Sequence, residues 1–292
     1  MKKVLVTGGS GFVGRHAIPF LKEAGYEVHA PSHAEFDVLN KEQVSAFVAE
    51  LKPTHLLHFA WIATPGVYQE SPENHAWKDS SIHLFKECIA NSAQRIVAAG
   101  SCFEYDHSDG FCVENKTALN AATLYGRCKN ECREEMEKLD VSSAWGRIFF
   151  LYGPGEPPKK LLASVILSLL KGEKAECSHG RQIRDFMYVK DIASAFVALL
   201  ESDVTGPVNI ASGQKVTLKE LVGTVGKILD KEDHIIFGAK QAPPNEPAEI
   251  TAAVDRLQKE VGWKPKYTHE EALRETIEWW TLRRAQGDSV SW

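Results

Sequence analysis

Lys2-Lys3-Val4-Leu5-Val6-Thr7-Gly8-Gly9-Ser10-Gly11-Phe12-Val13-Gly14 decides how the rest of this chain reads. Residues 2–7 have the apolar, partly β-branched character of a short buried strand. The glycines then turn the chain into an amphipathic helix that reaches about Leu21. Glycine permits a tight turn and a close backbone approach, and the helix N-terminus beyond it offers N–H donors and a positive dipole end. Strand, glycine turn and helix in this order are what a dinucleotide pyrophosphate requires. Two registers are present, Gly9-x-Gly11-x-x-Gly14 and Gly8-x-x-Gly11-x-x-Gly14. A glycine triplet alone is weak evidence; its place between strand and helix gives it weight.

Outward from this turn, strand and helix patterns alternate. Strands are expected at 26–30, 55–60, 95–100 and 145–151, with helices at 41–51, 79–91 and 117–139. Such alternation predicts an α/β fold with a doubly wound, Rossmann-type parallel sheet covered on both faces. The two long connections, 61–78 and 102–116, follow strand C-terminal ends, where ligands bind in open α/β sheets. After Gly153-Pro154-Gly155-Glu156-Pro157-Pro158 the pattern changes. Helices are expected at 159–171, 191–200, 218–229 and 270–284, a short strand at 208–211, a loop at 242–247 and a frayed tail at 286–292. The expected organisation is a dinucleotide-binding domain over 1–152, a return segment over 186–211, and a smaller substrate-binding lobe from 153–185 and 212–292.

The 292 residues carry a formal net charge of -5 and no basic stripe, which argues against nucleic acid as a partner. No apolar run is long enough to cross a bilayer, and the N-terminus runs straight into a strand, so no secretory leader is expected. Six cysteines show no framework spacing; Cys128 and Cys132 share a helical face, with no further His or Cys to complete a zinc set. They read as free thiols of a cytoplasmic protein, with no metal site.

Tyr125-Gly126-Arg127-Cys128-Lys129 places a phenol and an ammonium on one helical face. Ser101 sits just past the end of a buried strand, where an active site is expected. With these residues the chain resembles the extended short-chain dehydrogenase/reductases, which act mainly on nucleotide sugars. Thr7 to Gly14 is similar to that family's cofactor loop, and Ser101 with the Tyr125/Lys129 pair falls where its Ser-Tyr-Lys catalytic set would. Arg147-Ile148-Phe149-Phe150-Leu151-Tyr152-Gly153-Pro154-Gly155 resembles its entry to the substrate lobe. Arg184-Asp185-Phe186-Met187-Tyr188-Val189-Lys190-Asp191-Ile192-Ala193 resembles its return segment.

The resemblance implies roles. Tyr125 would give or take the proton of a sugar hydroxyl, Ser101 would hydrogen-bond the reacting oxygen, and Lys129 would hold the nicotinamide ribose. A free tyrosine titrates near pH 10, so Lys129 and the positive nicotinamide are expected to lower the Tyr125 pKa. Gly8, Gly11, Phe12, Val13 and Gly14 would hold the cofactor, Phe59 and Ala60 would line its central cleft, and Asp37-Val38 resembles the family's adenine-contacting pair. NAD sites usually place an acid at the end of the second strand. Here stands Val28-His29-Ala30-Pro31-Ser32-His33, so NADP is expected over NAD, with Ser32, His33 and Arg15 as its 2′-phosphate contacts.

Relatives that dehydrate the sugar carry Asp-Glu directly after the catalytic hydroxyl residue. Cys102 and Phe103 occupy those positions, so dehydration is not expected, although Glu104 stands one step further on. The leading expectation is reduction of a nucleotide-linked 4-keto-6-deoxysugar, with an NAD-dependent C4 epimerase second. A non-catalytic NADP-binding redox sensor is disfavoured by the intact Ser101, Tyr125 and Lys129. Arg184 falls where family members hold the nucleotide diphosphate, and a guanidinium suits that task. Cys102, Phe103 and Phe150 complete the expected substrate side. Phe150 and Trp77 both stand where many relatives have asparagine, which puts the usual substrate pose in question. Lys159 and Lys160 read as solvated lysines at a helix start, with phosphate binding as the alternative. Kinship also implies a homodimer through helices 79–91 and 117–139.

Overall fold

The structure, a computed structural model, describes residues 2–244 and 246–286; the end of the expected tail and Asn245 of the expected loop lie outside the described residues. The first part of the chain runs β1 (Lys3–Thr7), α1 (Gly14–Glu23), β2 (Glu27–His29), α2 (Lys41–Leu51), β3 (His55–His58), α3 (Glu73–Ala90), β4 (Arg95–Ser101), β5 (Phe111–Cys112), α4 (Leu124–Glu137), β6 (Ser142–Ile148) and β7 (Phe150–Tyr152). The remainder runs α5 (Leu161–Leu170), β8 (Ala175–Cys177), β9 (Ile183–Arg184), β10 (Phe186–Tyr188), α6 (Val189–Glu201), β11 (Gly206–Ile210), β12 (Val216–Thr217), α7 (Leu218–Ile228), β13 (Ile235–Phe237), β14 (Glu249–Ala252) and α8 (His269–Ala285).

Six strands form one parallel sheet in the order β11-β6-β4-β3-β1-β2. Val4 and Val6 of β1 join the core beneath α1 and α6, while Leu5 joins the core on the opposite face. Burial of both faces is why these strands read as continuous apolar runs. The chain leaves β1 for β2 on one side and returns to β3 on the other. Their C-terminal ends therefore flank a switch point, the place where an open α/β sheet offers a crevice.

The remaining elements build the wall opposite. Leu162, Ile166 and Leu169 of α5 pack with Leu221 and Val225 of α7 and with Leu273, Ile277 and Trp280 of α8. Short strands, among them β7 paired with β10, tie this group to the sheet's end.

Three elements differ from their sequence expectation, each for a local reason. The helix expected over 117–139 begins only at Leu124, because the Thr117 hydroxyl accepts the Val113 N–H and Thr123 caps the helix through the Gly126 N–H. The helix expected from 79 begins at Glu73, directly after Pro72. The strand expected over 145–151 splits at Phe149, whose N–H donates to the Ile210 carbonyl before β7 takes β10 as its partner. Among the described residues no helix is long and apolar enough to cross a membrane, and no group of His, Cys, Asp or Glu could hold a metal ion. All six cysteines are free and buried.

Candidate active site

The turn after β1 is packed backbone against backbone. Gly8 has φ +68°, and a Cβ there would lie 2.9 Å from the Ala60 nitrogen. A Cβ at Gly14 would overlap the Gly8 carbonyl oxygen and lie 2.8 Å from the Gly9 Cα. The Gly11 N–H donates to that same carbonyl at 2.9 Å. Gly8, Gly11, Phe12, Val13 and Gly14 line one side of a cleft of about 440 Å³, with Phe59 and Ala60 beside them at the end of β3. A cradle with no room for side chains, at the N-terminus of α1, fits a dinucleotide pyrophosphate.

Ser101, Tyr125 and Lys129 line the same cleft. Ser101 ends β4 and caps the turn Cys102–Glu104: its hydroxyl accepts the Phe103 N–H at 3.2 Å, and its own N–H donates to Glu104 Oε1 at 2.8 Å. Tyr125 is in the first turn of α4. A Cβ on its neighbour Gly126 would overlap the Phe103 carbonyl, so glycine lets α4 pack directly on the Ser101 turn. One helical turn on, the buried Lys129 Nζ donates to the Ala99 carbonyl at 2.8 Å.

Two aromatics that sequence reading passed over close this arrangement. The Trp61 ring lies 3.8 Å from Lys129 Nζ, and its indole N–H donates to the buried Asn74 at 2.8 Å. Tyr68 meets the Tyr125 ring edge-on at 4.9 Å. The available signal was position: both sit on the long connection after β3. Trp77, singled out for replacing an asparagine, instead packs against the apolar core beneath α3.

The electrostatics of the site without ligand are set by burial. Burial raises the Tyr125 pKa above its ordinary value, Tyr68 adds to the rise, and a hydrogen bond with Ser101 opposes it. Lys129, 5.9 Å from the phenol's ring centroid, is not among these influences; burial lowers its own pKa to about 8. Without ligand, therefore, Tyr125 is a neutral acid and Lys129 an ammonium that sheds its proton early. Between pH 8 and its usual 10.5 the unfolded state binds more protons at Lys129 than the folded state does. Its burial penalty is then full below about pH 8 and relieved as pH rises towards 10.5. The stability of Lys129→Met relative to wild type is thus expected to be highest near neutral pH and to fall by up to about 3 kcal/mol through that window. Denaturant titrations of both proteins across pH check this.

Glu104 is no free acid for the sugar ring. It is fully buried, accepts the Ser101 N–H and the Trp145 indole N–H, and pairs with Arg147 Nε at 2.6 Å. Glu104→Ala would leave Arg147 buried and unpaired, and is expected to cost about 3–5 kcal/mol in urea denaturation.

Other predicted residues fall elsewhere. Arg184 is 3% exposed, does not line the cleft, and pairs with Glu246 at 2.9 Å; its guanidinium lies 5.4 Å from the ring of Phe150. In this structure it stands against the ring of Phe150 and is held by Glu246. Cys102, Phe103 and Phe150 do line the cleft. Arg15, Ser32, His33, Asp37 and Val38 lie outside it. Ser32 donates both its N–H and its hydroxyl to Glu35 at 2.8 Å, His33 sits 3.7 Å from Asp37, and Arg15 donates to the carbonyls of Gly11 and Ser10. The loop after β2 thus folds carboxylates back onto a strand end that reads as acid-free. Val38 is a core residue beneath α2. Lys160 is exposed, as expected of a solvated lysine at a helix start, and also lines the cleft.

Comparisons with known proteins agree with this fold. The model of the NAD dependent epimerase/dehydratase family matches residues 4–211. The chain is 25% identical to a bifunctional UDP-glucose 4-epimerase and UDP-xylose 4-epimerase of Pisum sativum, over 95% of each chain. It is 24% identical to CDP-abequose synthase of Salmonella typhimurium, over 94% of this chain and 97% of that protein. Among solved structures, a UDP-N-acetylglucosamine 4-epimerase from Methanobrevibacter ruminantium superposes with a TM-score of 0.87 at 23% identity, over 97% of this chain and 99% of that one.

Proposed function

The chain belongs to the NAD dependent epimerase/dehydratase family of enzymes, and on that premise we propose that it reduces the 4-keto group of a nucleotide-linked 4-keto-6-deoxysugar. The observation that carries this reading is the placement of Ser101, Tyr125 and Lys129 on one cleft with the glycine turn, with the nearby Glu104 held by Arg147 and so not available for dehydration. A nicotinamide held in this cleft would supply the hydride to the carbonyl carbon. Tyr125 then gives its proton to the sugar oxygen, which needs a phenol at the start of turnover; oxidation of a sugar hydroxyl would need a phenolate. Ser101 would hold the carbonyl oxygen, and Lys129 would hold the nicotinamide ribose and favour the phenolate that Tyr125 becomes. Phe103, Phe150 and Phe186 wall the cleft, a surface suited to holding a sugar in one pose. Cys102 and Phe103 offer no acid or base for dehydration, and Glu104 is committed to Arg147.

On this reading β1 to β6, with α6 and β11, hold the cofactor, while residues 153–185 and 212–292 hold the sugar nucleotide. The outer faces of α3 and α4 are the proposed dimer contact. The test mixes purified protein, NADPH or NADH, and an enzymatically prepared dTDP-4-keto-6-deoxyglucose. Cofactor oxidation matched by appearance of the 4-hydroxy sugar is the expected result.

One observation favours the second reading, an NAD-dependent C4 epimerase: the Glu35 carboxylate on Ser32 would repel a 2′-phosphate. Interconversion of UDP-glucose and UDP-galactose with no net cofactor change would select it. Glu35→Ala is expected to shift binding several-fold towards NADPH, read by fluorescence titration against both cofactors.

A further inference from the structure

A second polar centre lines the cleft, on the connection between β7 and α5. Glu156 is 4% exposed, and its Oε2 has no hydrogen-bond partner among the described residues. The Ala163 N–H, in the first turn of α5, supports the carboxyl group. The loop that carries it is tied down: the Glu156 N–H donates to the Gly153 carbonyl at 3.1 Å, and the Pro154 carbonyl bonds His16 of α1 at 2.8 Å. Burial raises the Glu156 pKa to about 8, against the pull of Lys160 and the Ala163 N–H, so the group keeps its proton at neutral pH.

A buried polar atom without a partner costs about 1–3 kcal/mol, a cost that an apolar side chain of similar size would avoid. A ligand atom that completes the missing hydrogen bond recovers it. A protonated carboxyl donates, so the matching ligand atom is an oxygen acceptor. The neighbourhood narrows the ligand further: Phe150, Leu161, Leu162 and Phe186 are apolar, while Lys160 brings a positive charge to the same wall.

We propose that Glu156 is a substrate-binding residue that donates a hydrogen bond from its side chain to an oxygen of a nucleoside-diphosphate sugar. The proposal rests on the nucleotide-sugar reading above. The oxygen belongs either to the diphosphate or to the sugar, and the two sources separate by experiment.

The test is calorimetric titration of the cofactor-loaded protein with UDP, dTDP, CDP and GDP and with their glucose conjugates. Glu156→Met is expected to weaken the nucleotide that wild type binds best by about tenfold; because it also takes the acceptor from the buried Ala163 N–H, its melting temperature is measured alongside and binding is compared on folded protein. Glu156→Gln, a neutral donor of the same shape, is expected to bind within about threefold of wild type. Glu156→Asp keeps the acid but withdraws it, and is expected to bind about tenfold more weakly whether or not the Met variant folds. Equal losses for the diphosphate and its conjugate assign the contact to phosphate; a loss only for the conjugate assigns it to the sugar. Unchanged binding by the Asp and Met variants overturns the proposal alone. A loss of cofactor affinity that accounts for the whole effect does the same. Failure of wild type to bind any of these nucleotides overturns both this proposal and the nucleotide-sugar reading.

Discussion

Tyr125→Phe is expected to cut turnover of a 4-keto sugar by roughly three orders of magnitude, within the range for loss of a positioned acid. Dinucleotide affinity is expected to stay unchanged. The substitution removes one oxygen and leaves the packing: the ring still meets Tyr68 edge-on at 4.9 Å and Trp61 at 6.4 Å, and Gly126 still seats α4 on the Ser101 turn. Burial and Tyr68 keep the phenol protonated, so its lost function is donation of a proton. Ser101 retains its hydroxyl and can still polarise a carbonyl, which sets the residual rate. Steady-state kinetics paired with cofactor titration check both halves of the expectation. A variant with more than a tenth of wild-type activity would remove Tyr125 from the chemistry. A protein that bound cofactor but turned over no carbonyl even as wild type would restore the redox-sensor reading.

What the sequence revealed of this site was local in the chain. The glycine turn, the Tyr125–Lys129 spacing and the strand that ends at Ser101 each announce themselves within a few residues, because turn geometry and helical periodicity are short-range properties. Strand and helix alternation likewise carried the parallel sheet. What stayed hidden was pairing across long separations. Glu104, on the turn after β4, meets Arg147 of the neighbouring strand β6, and nothing in Cys102-Phe103-Glu104 signals a buried ion pair. Arg184 pairs with Glu246 from a distant loop, a contact that the run Arg184-Asp185-Phe186 does not advertise. Glu35 folds back onto Ser32 through a turn that the run after β2 does not advertise. Without ligand, burial and Tyr68 raise the Tyr125 pKa, an influence of distant packing that the Tyr125–Lys129 spacing does not signal.

Gly14→Val is expected to abolish measurable binding of NADH and NADPH alike, a loss of at least about a hundredfold, because it attacks the backbone cradle and not a replaceable contact. Its Cβ would overlap the Gly8 carbonyl oxygen and stand 2.8 Å from the Gly9 Cα. Both are main-chain atoms, so no side-chain rotation relieves the overlap; the turn or the start of α1 must move. That carbonyl also accepts the Gly11 N–H, so a shift at one glycine spreads to the others. Movement there takes the N-terminal N–H groups of α1 away from a pyrophosphate. Gly223→Ala in α7 is the matched control, since a Cβ there meets nothing within 4 Å. It should bind cofactor as wild type does and gain about 0.5–1 kcal/mol from helix propensity. Fluorescence titration with both cofactors, alongside denaturant melts, separates the two effects. Normal binding by a folded Gly14→Val would mean that the turn on which the whole reading turns is structural alone, and that the dinucleotide, if one binds, approaches the sheet elsewhere.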